Sequence, residues 1–119
     1  MPGSRVHVDV TTIGDFVRRL RAEPRHALLA LRALALSLGS DVVERVESAR
    51  VAYLRRERVF LVVEPLRARL VAAFPADIEM NDPLGRLLRR GDERYFRLDS
   101  GDLDAHVQQF VREAYAAAR

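Results

Sequence analysis

The spacing of apolar residues changes once along this chain. Ile13, Phe16, Val17 and Leu20 recur at helical spacing, as do Leu28, Leu31, Leu34, Ala35 and Leu38. Thr12 stands where a helix N-cap is wanted, with Asp15 set against the positive end of the helix dipole. Pro24 breaks or restarts the run, and Gly39 is a natural stop. Leu29 and Leu36 widen the apolar surface of the second helix, which is therefore expected to be covered on much of its circumference. Ahead of these helices, Val6, Val8 and Val10 alternate with His7 and Asp9, which suggests a short strand or an extended lead-in over residues 1–10.

From Val42 the period shortens. Val42 to Val46, Val51 to Leu54, Val59 to Val63 and Leu66 to Phe74 are β-branched or aromatic segments divided by charged residues, with turns predicted at Arg55-Arg56-Glu57-Arg58 and at Glu64-Pro65. Connections this short permit hairpins but no helical crossover, so the sheet should be an antiparallel meander. Val59 to Val63 is apolar at five consecutive positions. Two readings fit: a central strand buried on both faces, or a sheet face used for dimerisation. Residues 75–93 read as an irregular loop broken by Pro75, Pro83, Gly85 and Gly91, with one short helical turn around Leu84, Leu87 and Leu88. Tyr95 to Leu98 is a last strand. Asp99 or Ser100 then caps a final helix striped by Leu103, Val107, Phe110, Val111, Ala114 and Tyr115. The expected architecture is α+β in one domain over residues 1–119: helices over 11–39, a meander of four to five strands over 42–98, and a C-terminal helix over 100–118 packed on the sheet.

Composition narrows the chemistry. A chain of 119 residues, 49% hydrophobic, can bury one core without staples. It has no cysteine, which excludes disulfides and thiolate-metal sites. Met1 to Arg5 leads into no apolar signal-peptide core, and the stretch from Leu28 to Leu38 is interrupted by Arg32 and too short to span a bilayer. A cytoplasmic protein without a membrane partner is expected. All 20 basic residues are arginine. A GC-rich genome accounts for that bias; the competing account is selection for bidentate grips on phosphate or carboxylate. The absence of lysine excludes a Lys-dependent nuclease site, a P-loop and a Schiff base. Net charge is +3, unevenly placed: residues 50–97 hold 11 Arg against 7 acids, whereas residues 98–119 hold 2 against 4.

A run of short motifs in order carries a resemblance. Leu34 to Gly39 and on to Val46, Ala52-Tyr53, Arg55, Phe60 and Glu64-Pro65 are followed by Asn81-Asp82-Pro83-Leu84-Gly85, Gly91-Asp92, Tyr95, Ser100-Gly101-Asp102-Leu103-Asp104 and Ala114-Tyr115. Over roughly residues 26–118 the chain resembles an uncharacterised bacterial domain family labelled "predicted transport protein", domain of unknown function 5655. The resemblance implies an α+β domain that occurs alone or behind restriction-endonuclease-like domains; it implies no transport activity. The Gly-rich, His- and Trp-containing segment usual before the family's last strand is reduced here to Arg89-Arg90-Gly91-Asp92-Glu93.

Candidate chemistry is sparse. Asp77, Glu79 and Asp82 are the densest carboxylates, but the closing Glu of a calcium loop is missing, and acids that cap turns explain them as well. His7, His26 and His106 have no metal-like spacing. Ser37, Ser40, Ser48 and Ser100 lack a nucleophile-elbow context, and no Gly-rich phosphate loop precedes a helix. No cofactor, metal or catalytic residue is expected. What remains is an arginine and aromatic set: Arg50, Tyr53, Arg55, Arg56, Arg58, Phe60, Arg67 and Arg69. Arginines on a sheet face could grip phosphates, with Tyr53 or Phe60 stacking on bases; the competing reading is a solvated face with both aromatics in the core. The leading expectation is a non-enzymatic binding or regulatory module, dimeric, offering an Arg-rich sheet face to nucleic acid or another anionic partner. The rivals are a small-molecule domain or unrecognised enzyme, with a pocket between sheet and helices lined by Tyr53, Phe60, Phe74 and Tyr95, and a plain oligomerisation subunit.

Overall fold

The computed structural model describes residues 12–66, 69–98 and 103–119. The extended lead-in with His7, the residue Arg67 and the expected caps Asp99 and Ser100 lie outside the described residues. The element order is α1 (Ile13–Arg18), α2 (Ala22–Ser37), β1 (Val42–Val46), β2 (Val51–Arg55), β3 (Arg58–Leu66), β4 (Arg69–Pro75), β5 (Leu88–Arg90), β6 (Glu93–Leu98) and α3 (Ala105–Ala117). The strands form one sheet in the order β1-β2-β3-β4-β6-β5, with every neighbouring pair antiparallel. The α+β architecture, with the C-terminal helix on the sheet, is as the periodicity predicts.

The helix ends follow local chemistry. Thr12 Oγ1 accepts the Asp15 N–H at 3.1 Å, closing the first turn of α1. Pro24 falls in the first turn of α2, where a missing N–H costs nothing. Asp104 caps α3, its carboxylate accepting the Val107 N–H at 3.0 Å. Helix α2 buries Ala27, Leu28, Leu31 and Ala35 but leaves Leu29 41% exposed, so its covered surface is narrower than its leucine content suggests. Among the described residues no helix is long and apolar enough to cross a membrane.

The strands depart from the sequence reading in three places. Among the described residues the sheet has six strands, and the additional one is β5, where a helical turn is expected. Gly91, at φ 60°, turns the chain between Arg90 and Glu93, and the ladder from Leu88 opposite Tyr95 to Arg90 opposite Glu93 outcompetes the weak helical spacing. Glu64-Pro65 is no turn: both residues lie within β3, paired with Val71 and Leu70 of β4. The last β2 pairing is Val51 opposite Val63, so Pro65 lies past the end of β2 and its missing N–H breaks no bond there. The third departure is a β-bulge. Register shifts between Tyr53 and Leu54, whose partners are Leu61 and Val59, leaving Phe60 unpaired. Phe60 and Leu61 therefore both face the helices, while Val59 and Val62 face away. One extra residue and burial on both faces together account for five apolar positions in a row.

The main core lies between the sheet and the helices. Val51, Tyr53, Phe60, Leu61, Val63, Leu70, Phe74 and Phe96 meet Leu28 and Leu31 of α2 and Val107, Phe110 and Val111 of α3. Phe74, Phe96 and Phe110 form an aromatic triangle with ring centroids 5.8 to 6.3 Å apart.

Candidate binding surface

Alternation along each strand assigns every residue to one of two faces. The face turned away from the helices is built on one cross-strand row: Arg45 opposite Ala52, Ala52 opposite Val62, Val62 opposite Ala73, Ala73 opposite Tyr95, and Tyr95 opposite Leu88. Leu54 and Val59 flank this row. Among the described residues no helix lies on this face, yet Ala52 is 1% exposed and Leu54 and Val62 are each 8% exposed. Their cover is charged side chains lying flat.

Three glutamates and three arginines make that cover. Arg45 and Arg50 both donate to Glu47, at 3.1 and 2.8 Å. Arg90 reaches Glu93 at 3.5 Å and Glu64 at 3.8 Å, with its guanidinium 5.1 Å from the Tyr95 ring centre. The aliphatic stems shield the strip while the charged heads stay wet. Arg50 holds the Glu47 carboxyl below the ordinary range, with Arg45 adding to it. Between Arg50 and Glu93 the strip dips into an open hollow of 270 Å³ floored by Ala52, Val59, Val62 and Ala73. Arg69 and Arg97 extend the same face beyond Val71.

The arginine and aromatic set read from the sequence is split by this geometry. Arg50 and Arg69 belong to the open face. Arg55 and its cross-strand partner Arg58 belong to the helix side. Arg56 sits at the exposed hairpin tip. Tyr53 and Phe60 are fully buried in the core and present no ring to a ligand. The pocket imagined between sheet and helices is filled: Tyr53, Phe60 and Phe74 are packed there, while Tyr95 is on the opposite face. Arg45, Arg90 and Arg97 join the open face without having been singled out. Strand alternation carries a signal for Arg45 and Arg97; Arg90 depends on β5, which the sequence hides.

Arg55 is committed to structure. Its Nε donates to Asp41 at 2.9 Å and its Nη1 to the Tyr115 carbonyl at 3.0 Å, and its guanidinium lies 4.1 Å from the Tyr115 ring centre. The Tyr115 hydroxyl donates to Asp41 at 2.7 Å. That hydroxyl, and then Arg55, hold the Asp41 carboxyl below its usual range; the same bond raises the Tyr115 phenol. Glu44 is similarly occupied, accepting from Tyr53 at 2.9 Å and Arg32 at 2.8 Å. Burial first, and the Glu44 charge next, push the Tyr53 phenol far up.

The acidic loop also has internal work. Asp82 accepts the N–H groups of Leu87 at 3.0 Å and Arg86 at 2.8 Å, and these bonds, the Leu87 one first, pull its carboxyl down. Asp77 and Glu79 are exposed. His26 is exposed and His106 half-buried, and among the described residues no three His, Asp or Glu gather as a metal-holding set. Set beside known protein families, curated proteins and solved structures, the chain matches none.

Proposed function

We propose that this chain is a non-enzymatic binding module that takes an extended anionic partner across the open face of its sheet, with single-stranded nucleic acid the first candidate. The observation that supports this most is the apolar row from Ala52 to Tyr95 on a face that carries no helix among the described residues, bordered by Arg45, Arg50, Arg69, Arg90 and Arg97. A phosphate chain would replace the glutamates as the partner of Arg45, Arg50 and Arg90, releasing counterions. Tyr95, with Arg90 at its ring, is the one tyrosine on this face and the residue on which a base would stack. Membership of the uncharacterised family, with its nuclease-fused relatives, and an intracellular site of action belong to the same proposal.

Fluorescence anisotropy with a labelled single-stranded oligonucleotide at low and moderate salt tests it. Binding that weakens with salt and is lost in Arg50→Gln/Arg97→Gln, but kept in Arg58→Gln on the helix side, supports the reading. No binding, or equal loss in both variants, overturns it.

A second reading has its own observation. The floor of Ala52, Val59, Val62 and Ala73 is apolar, and sheets stack about 10 Å apart through such floors. A second copy stacked on it about a two-fold axis would bury the two floors against each other. Sedimentation equilibrium decides: a dimer dissociated by Val62→Asp favours it, and a strict monomer rules it out.

A further inference from the structure

Arg89 of β5 and Arg94 of β6 are direct cross-strand partners. Like charges placed opposite each other repel, and folded proteins usually set an acid between them. The hairpin pair Arg55 and Arg58 follows that rule, because Asp41 takes Arg55. Arg89 and Arg94 do not. Among the described residues neither makes an ion pair. Arg89 gives its Nε to the Gly91 carbonyl at 3.2 Å, and Arg94 gives one terminal nitrogen to the Ile78 carbonyl. The Nε of Arg94 is buried with no partner. Asp82 lies within electrostatic reach of Arg94, but its oxygens are held by the Arg86 and Leu87 N–H groups.

Both arginines line an open hollow of 390 Å³ on the helix side of the sheet, away from the open face. The same hollow is lined by Ile78 and Met80, and by the carboxylates Asp77 and Glu79. It therefore offers two cations lacking an acid, two exposed acids, and an apolar stretch of wall. That composition rejects a bare anion, which would meet the acids, and a bare cation, which would meet the arginines.

We propose that this hollow binds a small zwitterion of the amino-acid class, with its carboxylate on the Arg89–Arg94 pair, its ammonium toward Asp77 and Glu79, and its carbon chain against Ile78 and Met80. The carboxylate supplies the charge missing between two opposed guanidiniums, and its planar pair of oxygens suits their forked donors. The site is independent of the open-face reading, and its variants leave that face untouched.

The test is a titration followed by NMR on the arginine Nε–H signals, using γ-aminobutyrate, acetate and methylammonium as separate probes. Saturable shifts at Arg89 and Arg94, reached at lower concentration with γ-aminobutyrate than with either single-charge probe, are expected. Arg89→Gln, at an exposed position, should weaken the binding about tenfold, the scale of one charge-assisted contact, while core amides such as those of Leu61 and Val63 keep their shifts. Asp77→Asn/Glu79→Gln should remove the preference for γ-aminobutyrate over acetate. Absent or non-saturating shifts, affinity unchanged in Arg89→Gln, or acetate equal to γ-aminobutyrate on the native chain would each overturn the proposal.

Discussion

The hydroxyl of Tyr115 donates to the carboxylate of Asp41 at 2.7 Å, joining the end of α3 to the turn between α2 and β1 across 74 residues of sequence. Gly39 lies under this bond. A Cβ there would overlap the Tyr115 hydroxyl and come within 2.6 Å of Asp41 Oδ1. Glycine is needed for close approach, not for an unusual φ. Gly39→Ala should cost about 1–3 kcal/mol, the range for overpacking. Tyr115→Phe removes the obstructing oxygen, so Gly39→Ala should cost less in that background than in the native chain. A double-mutant cycle in urea checks this, and additive penalties would contradict it.

The hairpin tip should be improvable. Arg56 and Glu57 occupy φ 52° and 67°, the mirror-image turn that suits the twist of β2 and β3. Side chains other than Asn, Asp or Gly resist that region by roughly 1–2 kcal/mol each. Glu57→Gly and Arg56→Asn should therefore each raise stability, by about 1 kcal/mol after the entropy cost of glycine is deducted. Urea midpoints read the gain.

Tyr53→Phe should be costly although it removes a single oxygen. The buried hydroxyl satisfies Glu44, and losing a hydrogen bond to a charged group costs about 1.5–3 kcal/mol. A related expectation concerns alkaline titration. Tyr53 and Tyr115 both have raised phenols. In a Tyr95→Phe variant the phenolate absorbance should consequently rise only above the ordinary tyrosine range, and late or together with unfolding for Tyr53.

Acid should loosen the fold through identifiable carboxylates. Asp41, Asp82 and Asp104 are each lowered in the folded chain, by the Tyr115 hydroxyl, by the Leu87 N–H and by the Val107 N–H respectively as the leading causes. A depressed carboxylate contributes fully above its unfolded pKa of about 3.9, and that contribution is lost as pH falls through the folded value. Stability should decline below about pH 4, and the decline should be shallower in Asp82→Asn/Asp104→Asn. Unfolding free energy measured against pH tests both.

Local pattern made most of the elements legible. Thr12, Gly39 and the period change at Val42 locate the helices and the first strands because capping and alternation act within a few residues. β5 was hidden because three residues carry no period of their own; its strand character comes from β6 across the Gly91 turn. The Phe60 bulge was hidden for the opposite reason: an extra residue looks in sequence like an uninterrupted apolar run. The candidate surface was half legible. Alternation sorts Arg50 from Val51, but which face the helices take depends on packing, and that decides that Arg55 is structural and Arg97 is not in its company.

Strands β4 and β6 pair along six positions, and where they separate the Ala76 N–H donates to the Asp92 carbonyl at 2.8 Å. The segment between them leaves β4, rejoins the sheet as β5 on the outer edge of β6 and returns to the same point, so β4 and β6 act as one hairpin with a clasped mouth and a long tip. Loop entropy grows only logarithmically once such a clasp exists. The stretch around Pro83 to Gly85, exposed throughout, is accordingly where this fold could accept added length without shifting the register of any strand.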